Sequence, residues 1–159
     1  YYDLFGKTGK NVPKVDFDAN KICYKILEKA IDRELVVSSH AVARGGIGVH
    51  LGLMTMAGGL GLEIDLACLP LANDSQGKKA LSDETLLFSE SAGRFILTVA
   101  PDKKAVFEKL CKGLPVSCVG IVTDDHTCLK IDGQDKKSLV NLSCDALAAA
   151  FNKIFGDYI

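Results

Sequence analysis

The sequence lacks the features that mark several protein classes. It has no tryptophan, and its 19 Lys and Arg residues nearly balance its 20 Asp and Glu residues. Because no face-wide basic excess is visible, we expect no nucleic-acid partner. No apolar run reaches the roughly 18 residues that a transmembrane helix needs, so we also expect no membrane partner.

Cysteine pairs of the Cys-x-x-Cys type are also missing. The six cysteines stand at positions 23, 68, 111, 118, 128 and 144. Their spacing argues against a zinc knuckle and against a thioredoxin-type redox site. Several of them lie in apolar runs, where cysteine behaves as a small hydrophobic residue. We therefore predict free thiols in a cytoplasmic protein and no metal ligands.

The length is sufficient for one domain with a real core. The chain has 159 residues, of which 48% are hydrophobic and 25% charged. Folding at this length buries about 70% of the surface of the unfolded chain. Residues 1–13 are rich in Gly and Lys and lack periodicity, so we interpret them as a connector. Residues 14–159 form the predicted domain.

Hydrophobic periodicity predicts helices that alternate with strands. The predicted order is helix, strand, helix, strand, helix, strand, helix, strand, strand, helix. These elements begin near Asp16 or Asp18, Val36, Gly46, Leu62, Ser82, Phe95, Pro101, Val116, Cys128 and Ser143. The strands 116–122 and 128–131 are predicted to form a hairpin across Asp124-Asp125-His126, so the sheet should be mixed.

Segment one, residues 38–48, places a glycine-rich turn between a strand and a helix. The free N–H groups at a helix N-terminus can bind an anion, and Arg44 would add a charge suited to phosphate. Alternatively, Gly45-Gly46 is a tight turn, and Gly48 and Gly52 let the helix pack closely. His40 in this segment could be a general acid/base or a ligand donor, or a structural histidine. His50, on the following helix, is interpreted as structural.

Segment two, residues 88–95, concentrates polar groups in a turn before a strand. It contains two hydroxyls, a carboxylate and a guanidinium, from Ser89, Ser91, Glu90 and Arg94. Such a cluster can bind phosphate or a magnesium nucleotide. It can equally be an ordinary capped turn with a surface ion pair. Composition does not separate the two interpretations.

Taken together, these stretches resemble a known family in order along the chain. Residues 38–47 resemble its Ser-Ala-His-Asp-Val-Ser-Asp-Gly-Gly-Leu stretch, and residues 56–66 its Ala-Gly-Gly-Leu-Gly-x-Glu-Ile-Asp-Leu. Residues 87–95 resemble its Phe-Ser-Glu-Ser-x-Gly-Arg-Phe block, and residues 119–123 its Ile-Gly-x-Val-Thr. The family is the synthetase subunit of phosphoribosylformylglycinamidine synthase, within the aminoimidazole ribonucleotide synthetase superfamily. The Gly-Arg-Phe version of the block resembles the second of the two carboxy-terminal domain copies in that family.

The resemblance implies an α+β fold, a three-layer α/β/α domain with a mixed sheet, partly similar to the ferredoxin-like fold. It implies an ATP-dependent C–N ligase that converts formylglycinamide ribonucleotide (FGAR) and glutamine-derived ammonia to the amidine in purine biosynthesis. ATP and Mg²⁺ would be bound mainly by amino-terminal domains, so this fragment alone would be inactive. The implied partners are the rest of the synthetase chain, a glutaminase subunit or domain, and the ribonucleotide.

Eight residues are candidate ligand contacts: the resemblance implies seven of them, and Arg44, where the family has Asp, is added for its charge. These residues are His40, Arg44, Gly45, Gly46, Ser89, Glu90, Ser91 and Arg94. Where the family has Asp-Val-Ser-Asp, this chain has Ala41-Val42-Ala43-Arg44. Two carboxylates are lost, which leaves two alternatives open. The domain could be a non-catalytic scaffold that docks subunits, or another superfamily member such as aminoimidazole ribonucleotide synthetase.

Overall fold

The structure is a computed structural model that describes residues 5–6, 14–71, 81–124 and 128–156, with side chains to residue 153. Most of the predicted connector 1–13, residues 72–80 and His126 lie outside these residues. Five helices and six strands are described: α1 Phe17–Asp32, β1 Ser38–Ala41, α2 Gly46–Gly58, β2 Gly61–Asp65, α3 Asp83–Phe88, β3 Phe95–Thr98, α4 Lys104–Leu110, β4 Gly120–Thr123, β5 Cys128–Asp132, β6 Ser138–Ser143 and α5 Cys144–Gly156. Helices with a mixed sheet confirm the predicted α+β class.

Local capping explains where the helices begin and end. The Asp16 carboxylate accepts the amide of Ala19 at the start of α1. Ser82 caps α3 in the same way, and Gly59, in the left-handed conformation, ends α2. These side chains and this glycine satisfy backbone groups that a helix end leaves without intrahelical partners. The predicted starts and stops of these helices are confirmed.

The strands form two sheets rather than one. The order in the larger sheet is β4-β2-β5-β6, with β2 and β5 parallel and the other neighbours antiparallel, while β1 and β3 form a separate antiparallel pair. The predicted hairpin between 116–122 and 128–131 is wrong, because β2 lies between β4 and β5. Instead, β5 forms a hairpin with β6, a strand that the sequence analysis missed. The first strand was predicted at 36–39 and lies at 38–41.

The burial pattern of β2 explains this strand order. Leu62 and Ile64 face the core, and they lie beside Leu129 and Ile131 of β5. On its other side β4 runs so close that a Cβ on Gly120 would lie 2.0 Å from the Glu63 carbonyl oxygen. β2, in which three of five residues are buried, thus has partners on both edges. A turn signal between 123 and 128 indicates chain reversal, but it does not fix which strand the chain pairs with.

Two cores hold the domain together. Helices α2 and α3 cover one face of the four-stranded sheet, and the buried residues there are Val42, Ile47, Leu51, Leu62, Ile64, Leu66, Leu86, Leu87, Leu129 and Ile131. A second core joins α1 and α4 to the β1–β3 pair, with Ala30, Leu35, Phe107 and Cys111 buried. Each buried side chain of Leu or Ile size contributes roughly 1.5–3 kcal/mol.

The hydrophobic periodicity of the helices predicts inner faces that include Ile22, Ile31, Val106 and Phe151, but these side chains are exposed. On α1, Ile22 is 54% exposed and Ile31 50% exposed; Val106 on α4 and Phe151 on α5 are 43% and 50% exposed. Their helices contact the core along a narrower stripe than the periodicity indicates. None of the six cysteines forms a disulfide bond, as predicted. None of the described helices is both long and apolar enough to cross a membrane.

Candidate functional site

The two segments singled out in the sequence lie side by side. β1 pairs with β3, so that His40 lies opposite Ile96 and Ala41 opposite Phe95. Just beyond this ladder, the amide of Val42 donates to the carbonyl oxygen of Arg94 at 2.9 Å. The structure therefore brings the predicted residues of segment one and segment two to the same end of the β1–β3 pair.

The N-terminus of α2 already has a carboxylate partner. Gly45 is the residue before the helix, with φ of 86°, and its amide donates to Glu90 Oε1 at 2.8 Å. A negative group is favourable at this position because the helix dipole and free N–H groups point towards it. Glu90 thus occupies the position at which segment one was predicted to bind an anion.

Gly46 is required by close packing between helices. Its φ is 67°, and an added Cβ would lie 2.4 Å from the Leu87 carbonyl oxygen and 2.8 Å from the backbone of Phe88. Only glycine takes up this conformation at so small a separation. The glycine lets the start of α2 touch the end of α3.

Arg94 holds the loop of segment two in shape. Its Nε donates to the Ser91 carbonyl oxygen at 3.0 Å, and its Nη2 donates to the carbonyl oxygen of Ser89. The guanidinium is half-buried, and this burial lowers the pKa of Arg94. Gly93, with φ of 78°, brings the same loop against Asn20 of α1. Two of the five guanidinium N–H groups therefore bind the chain itself.

His40 and His50 form a hydrogen-bonded pair. His40 Nε2 lies 2.7 Å from His50 Nδ1, and the amide of Ala43 donates to His50 Nε2 at 2.8 Å. The ring of His50 is 8% exposed, whereas His40 is half-buried. The sequence predicts a structural role for His50, but it does not predict this contact. A spacing of ten residues between a strand and a helix carries no local signal of it.

The remaining polar groups of the site are less engaged. Arg44 is exposed, and it makes no hydrogen bond or ion pair with the residues that the structure describes. Ser89 and Ser91 are half-buried, and their carbonyl oxygens bind Arg94 while their hydroxyls have no partner in the described part of the chain. These hydroxyls, the Arg44 guanidinium and the second nitrogen of His40 are the groups that a ligand could meet.

The site does not fit a divalent metal ion. Mg²⁺ takes carboxylate and carbonyl oxygens in a near-octahedral arrangement. Segment one offers Ala41, Ala43 and Arg44, which provide two methyl groups and a cation. Within residues 14–71, 81–124 and 128–156, no group of three or more His, Cys, Asp or Glu side chains could hold a metal ion.

Comparisons with known proteins agree with the fold. Residues 3–130 match the family described as AIR synthase related protein, C-terminal domain. The phosphoribosylformylglycinamidine synthase subunit PurL of Methanocaldococcus jannaschii is 31% identical over 163 aligned positions, which cover 99% of this chain and 20% of that protein. The chain thus spans about a fifth of the length of this curated relative.

Solved structures of Thermotoga maritima PurL share the fold. The complex with FGAR superposes with a TM-score of 0.73 at 18% identity, covering 92% of this chain and 24% of that one. The complex with ATP gives 0.67 at 17% identity, covering 80% and 21%. At these identities the likeness establishes the architecture alone. The family match over residues 3–130, by contrast, establishes membership: the chain belongs to the family of AIR synthase related proteins, as a C-terminal domain.

Proposed function

We propose that this chain is the carboxy-terminal domain of the synthetase of phosphoribosylformylglycinamidine synthase, and that its two segments line a ligand cleft. The observation that carries the proposal is the family match over residues 3–130, together with a relative of that name aligned along 99% of the chain. Thermotoga maritima PurL, which shares this fold, has been solved in complex with FGAR and in complex with ATP, and this supports the proposal.

The proposed reaction is the ATP-dependent formation of a C–N bond. ATP transfers its terminal phosphoryl group to the formamide oxygen of FGAR, and ammonia from glutamine then displaces phosphate to give the amidine. Catalysis of phosphoryl transfer rests mainly on positioning and on electrostatic stabilisation. Because the described residues do not fit Mg²⁺, we propose that ATP and Mg²⁺ are held mainly by amino-terminal domains of the same synthetase.

The contacts of this chain divide the candidate residues into two groups. Gly45, Gly46, Glu90 and Arg94 make the frame, since each binds or packs against the chain itself. Arg44 is the exposed cation beside this frame, and a guanidinium can donate two parallel hydrogen bonds to phosphate. Arg44, His40 and the hydroxyls of Ser89 and Ser91 are the proposed ligand contacts.

The proposed function requires two partners for this chain, which spans about a fifth of the length of its relative. The remaining four fifths of the synthetase chain would complete the cleft, and a glutaminase subunit or domain would supply ammonia. We propose a cytoplasmic enzyme in which the isolated domain is inactive.

The first experiment mixes this chain with the separately expressed remainder of its synthetase and follows ADP release with FGAR, Mg-ATP and ammonium. ADP release only when both parts are present supports the proposal. A stable complex without ADP release contradicts it.

The second experiment tests the ligand contacts. In the reconstituted synthetase, Arg44→Ala should raise the apparent KM for FGAR or ATP about 10-fold, which is within the 1–3 kcal/mol attributed to a charged hydrogen bond. Arg33→Ala is the matched control, because Arg33 is another exposed arginine and lies at the end of α1. It should leave both KM values unchanged.

A scaffold domain without ligand contacts is the second candidate. Two observations favour it: the family's carboxylates are replaced at Ala41 and Arg44, and Glu90 occupies the N-terminus of α2. A scaffold would bind the remainder of the synthetase and would support activity. However, Arg44→Ala would then change neither KM value.

A further inference from the structure

The hydrogen bond from Ala43 fixes the proton positions of two histidine rings. A backbone amide can only donate, so His50 Nε2, 2.8 Å from the Ala43 nitrogen, accepts with a lone pair. A neutral imidazole with a bare Nε2 carries its proton on Nδ1. His50 Nδ1 therefore donates to His40 Nε2 across the 2.7 Å separation.

The position of the proton on the His40 ring is fixed as well. Because its Nε2 accepts from His50, the neutral His40 ring must carry its proton on Nδ1. That nitrogen has no partner among the described residues. His40 is half-buried, next to segment two through the β1–β3 ladder. The ring consequently offers one N–H donor, and it does not offer a bare nitrogen that could act as a base.

We propose that His50 is a positioning residue. Its hydrogen bond holds His40 in the tautomer that carries the proton on Nδ1, and this N–H donates to a phosphate oxygen of the ligand. The inference rests on the proposed function, in which His40 contacts a ligand. Two molecules could supply the oxygen, the ribonucleotide FGAR and ATP. His50 itself is buried on α2 and would act through His40.

The proton positions can be measured without any activity. The chain has three histidines, so ¹⁵N-histidine labelling gives three imidazole patterns, which His50→Ala and His40→Ala assign. We expect both His40 and His50 to carry their protons on Nδ1, and we expect His40 to lose its single tautomer in His50→Ala. A proton on Nε2 of either ring in the native chain would overturn the inference, whatever the reaction proves to be.

A double-mutant cycle tests the role in the reconstituted synthetase. KM is measured separately for FGAR and for ATP. His50→Ala should raise one of the two KM values about 10-fold, the lower end of the effect of partners that orient a functional histidine. His40→Ala should raise the same KM at least as much. Adding His50→Ala to His40→Ala should change nothing further, since His50 acts only through His40.

Two further variants separate positioning from mere stability. His50→Gln keeps one amide N–H for His40 and one oxygen for the Ala43 amide, so it should restore most of the loss. Thr55→Val is the control, because Thr55 is a buried polar residue of the same helix, 1% exposed and bonded to the Leu51 carbonyl. It should leave both KM values unchanged.

The outcomes distinguish this inference from the proposed function. The increases in KM caused by His40→Ala and His50→Ala could instead multiply in the double variant. Such independent effects would show that the role of His50 is structural, and they would overturn the inference. If His40→Ala changes neither KM while ADP release remains normal, His40 contacts no phosphate and the inference fails. The assignment of the domain to the synthetase would then still stand on the reconstitution experiment.

Discussion

The carboxylate of Glu90 accepts the amide of Gly45 at 2.8 Å, and this contact joins the loop after α3 to the start of α2. The two residues are 45 positions apart, and each was singled out in a different segment of the sequence. Two residues that were predicted separately to contact a ligand therefore contact each other. It also places a negative charge where the helix dipole favours one.

Removing this cap should weaken the domain. Glu90→Ala leaves the Gly45 amide without its carboxylate, and we expect the free energy of unfolding to fall by about 1 kcal/mol. Glu90→Gln keeps an acceptor oxygen and should lose less than half of that. Urea unfolding of the two variants measures the difference. Equal stability of Glu90→Ala and the native chain would show that the contact does not stabilise the fold.

Gly46 should tolerate no side chain. Gly46→Ala forces a Cβ against the carbonyl of Leu87 in a left-handed conformation, and we expect a loss of about 2–4 kcal/mol. The control is Gly58→Ala on the same helix, where an added Cβ meets nothing within 4 Å. Because alanine favours a helix over glycine, that variant should be as stable as the native chain or up to about 1 kcal/mol more stable. Thermal unfolding compares the two.

Arg94 should stabilise the loop of segment two. Arg94→Lys keeps a positive charge but cannot reach both carbonyl oxygens with a planar fork. We expect it to lower the free energy of unfolding by about 1–2 kcal/mol. The matched exchange is Arg44→Lys, which should leave stability unchanged because Arg44 binds no described residue. If both exchanges are neutral, the hydrogen bonds to the carbonyls of Ser89 and Ser91 contribute nothing to stability.

The ion pair between Asp65 and Lys136 should make stability depend on pH. The hydrogen bond from Lys136 lowers the pKa of Asp65, with a further contribution from the Cys68 thiol. A lowered carboxyl pKa contributes stability above its unfolded value, and this contribution is lost as the pH falls through the lower folded value. The same hydrogen bond raises the pKa of Lys136, so that contribution is lost as the pH rises through the raised value.

This dependence is checked by urea unfolding between about pH 5 and pH 2. The native chain should lose stability towards acid more steeply than Asp65→Asn does, since the variant has no carboxylate to protonate at this position. Glu28→Gln on the exposed side of α1 is the control and should keep the native slope. Parallel slopes for the native chain and Asp65→Asn would contradict the prediction.

Part of the site could be predicted because its residues lie together in the sequence. Segment two contains Ser89, Glu90, Ser91 and Arg94 within six positions, and segment one carries its two glycines at a strand–helix turn. Their partners could not be predicted. The contact of Glu90 with Gly45 and that of His40 with His50 depend on how the loop after α3 and strand β1 pack against α2, which periodicity does not encode.

The local features of this protein follow from its amino-acid sequence alone. Asp16, Ser82 and Gly59 fix helix ends through hydrogen bonds and backbone conformations that span a few residues. The alternation in β2 fixes which of its faces is buried. The strand order, the separate β1–β3 pair and the carboxylate at the start of α2 are visible only in the folded chain. These depend on contacts between residues far apart along the chain, where many pairings satisfy the same local pattern and packing selects one of them.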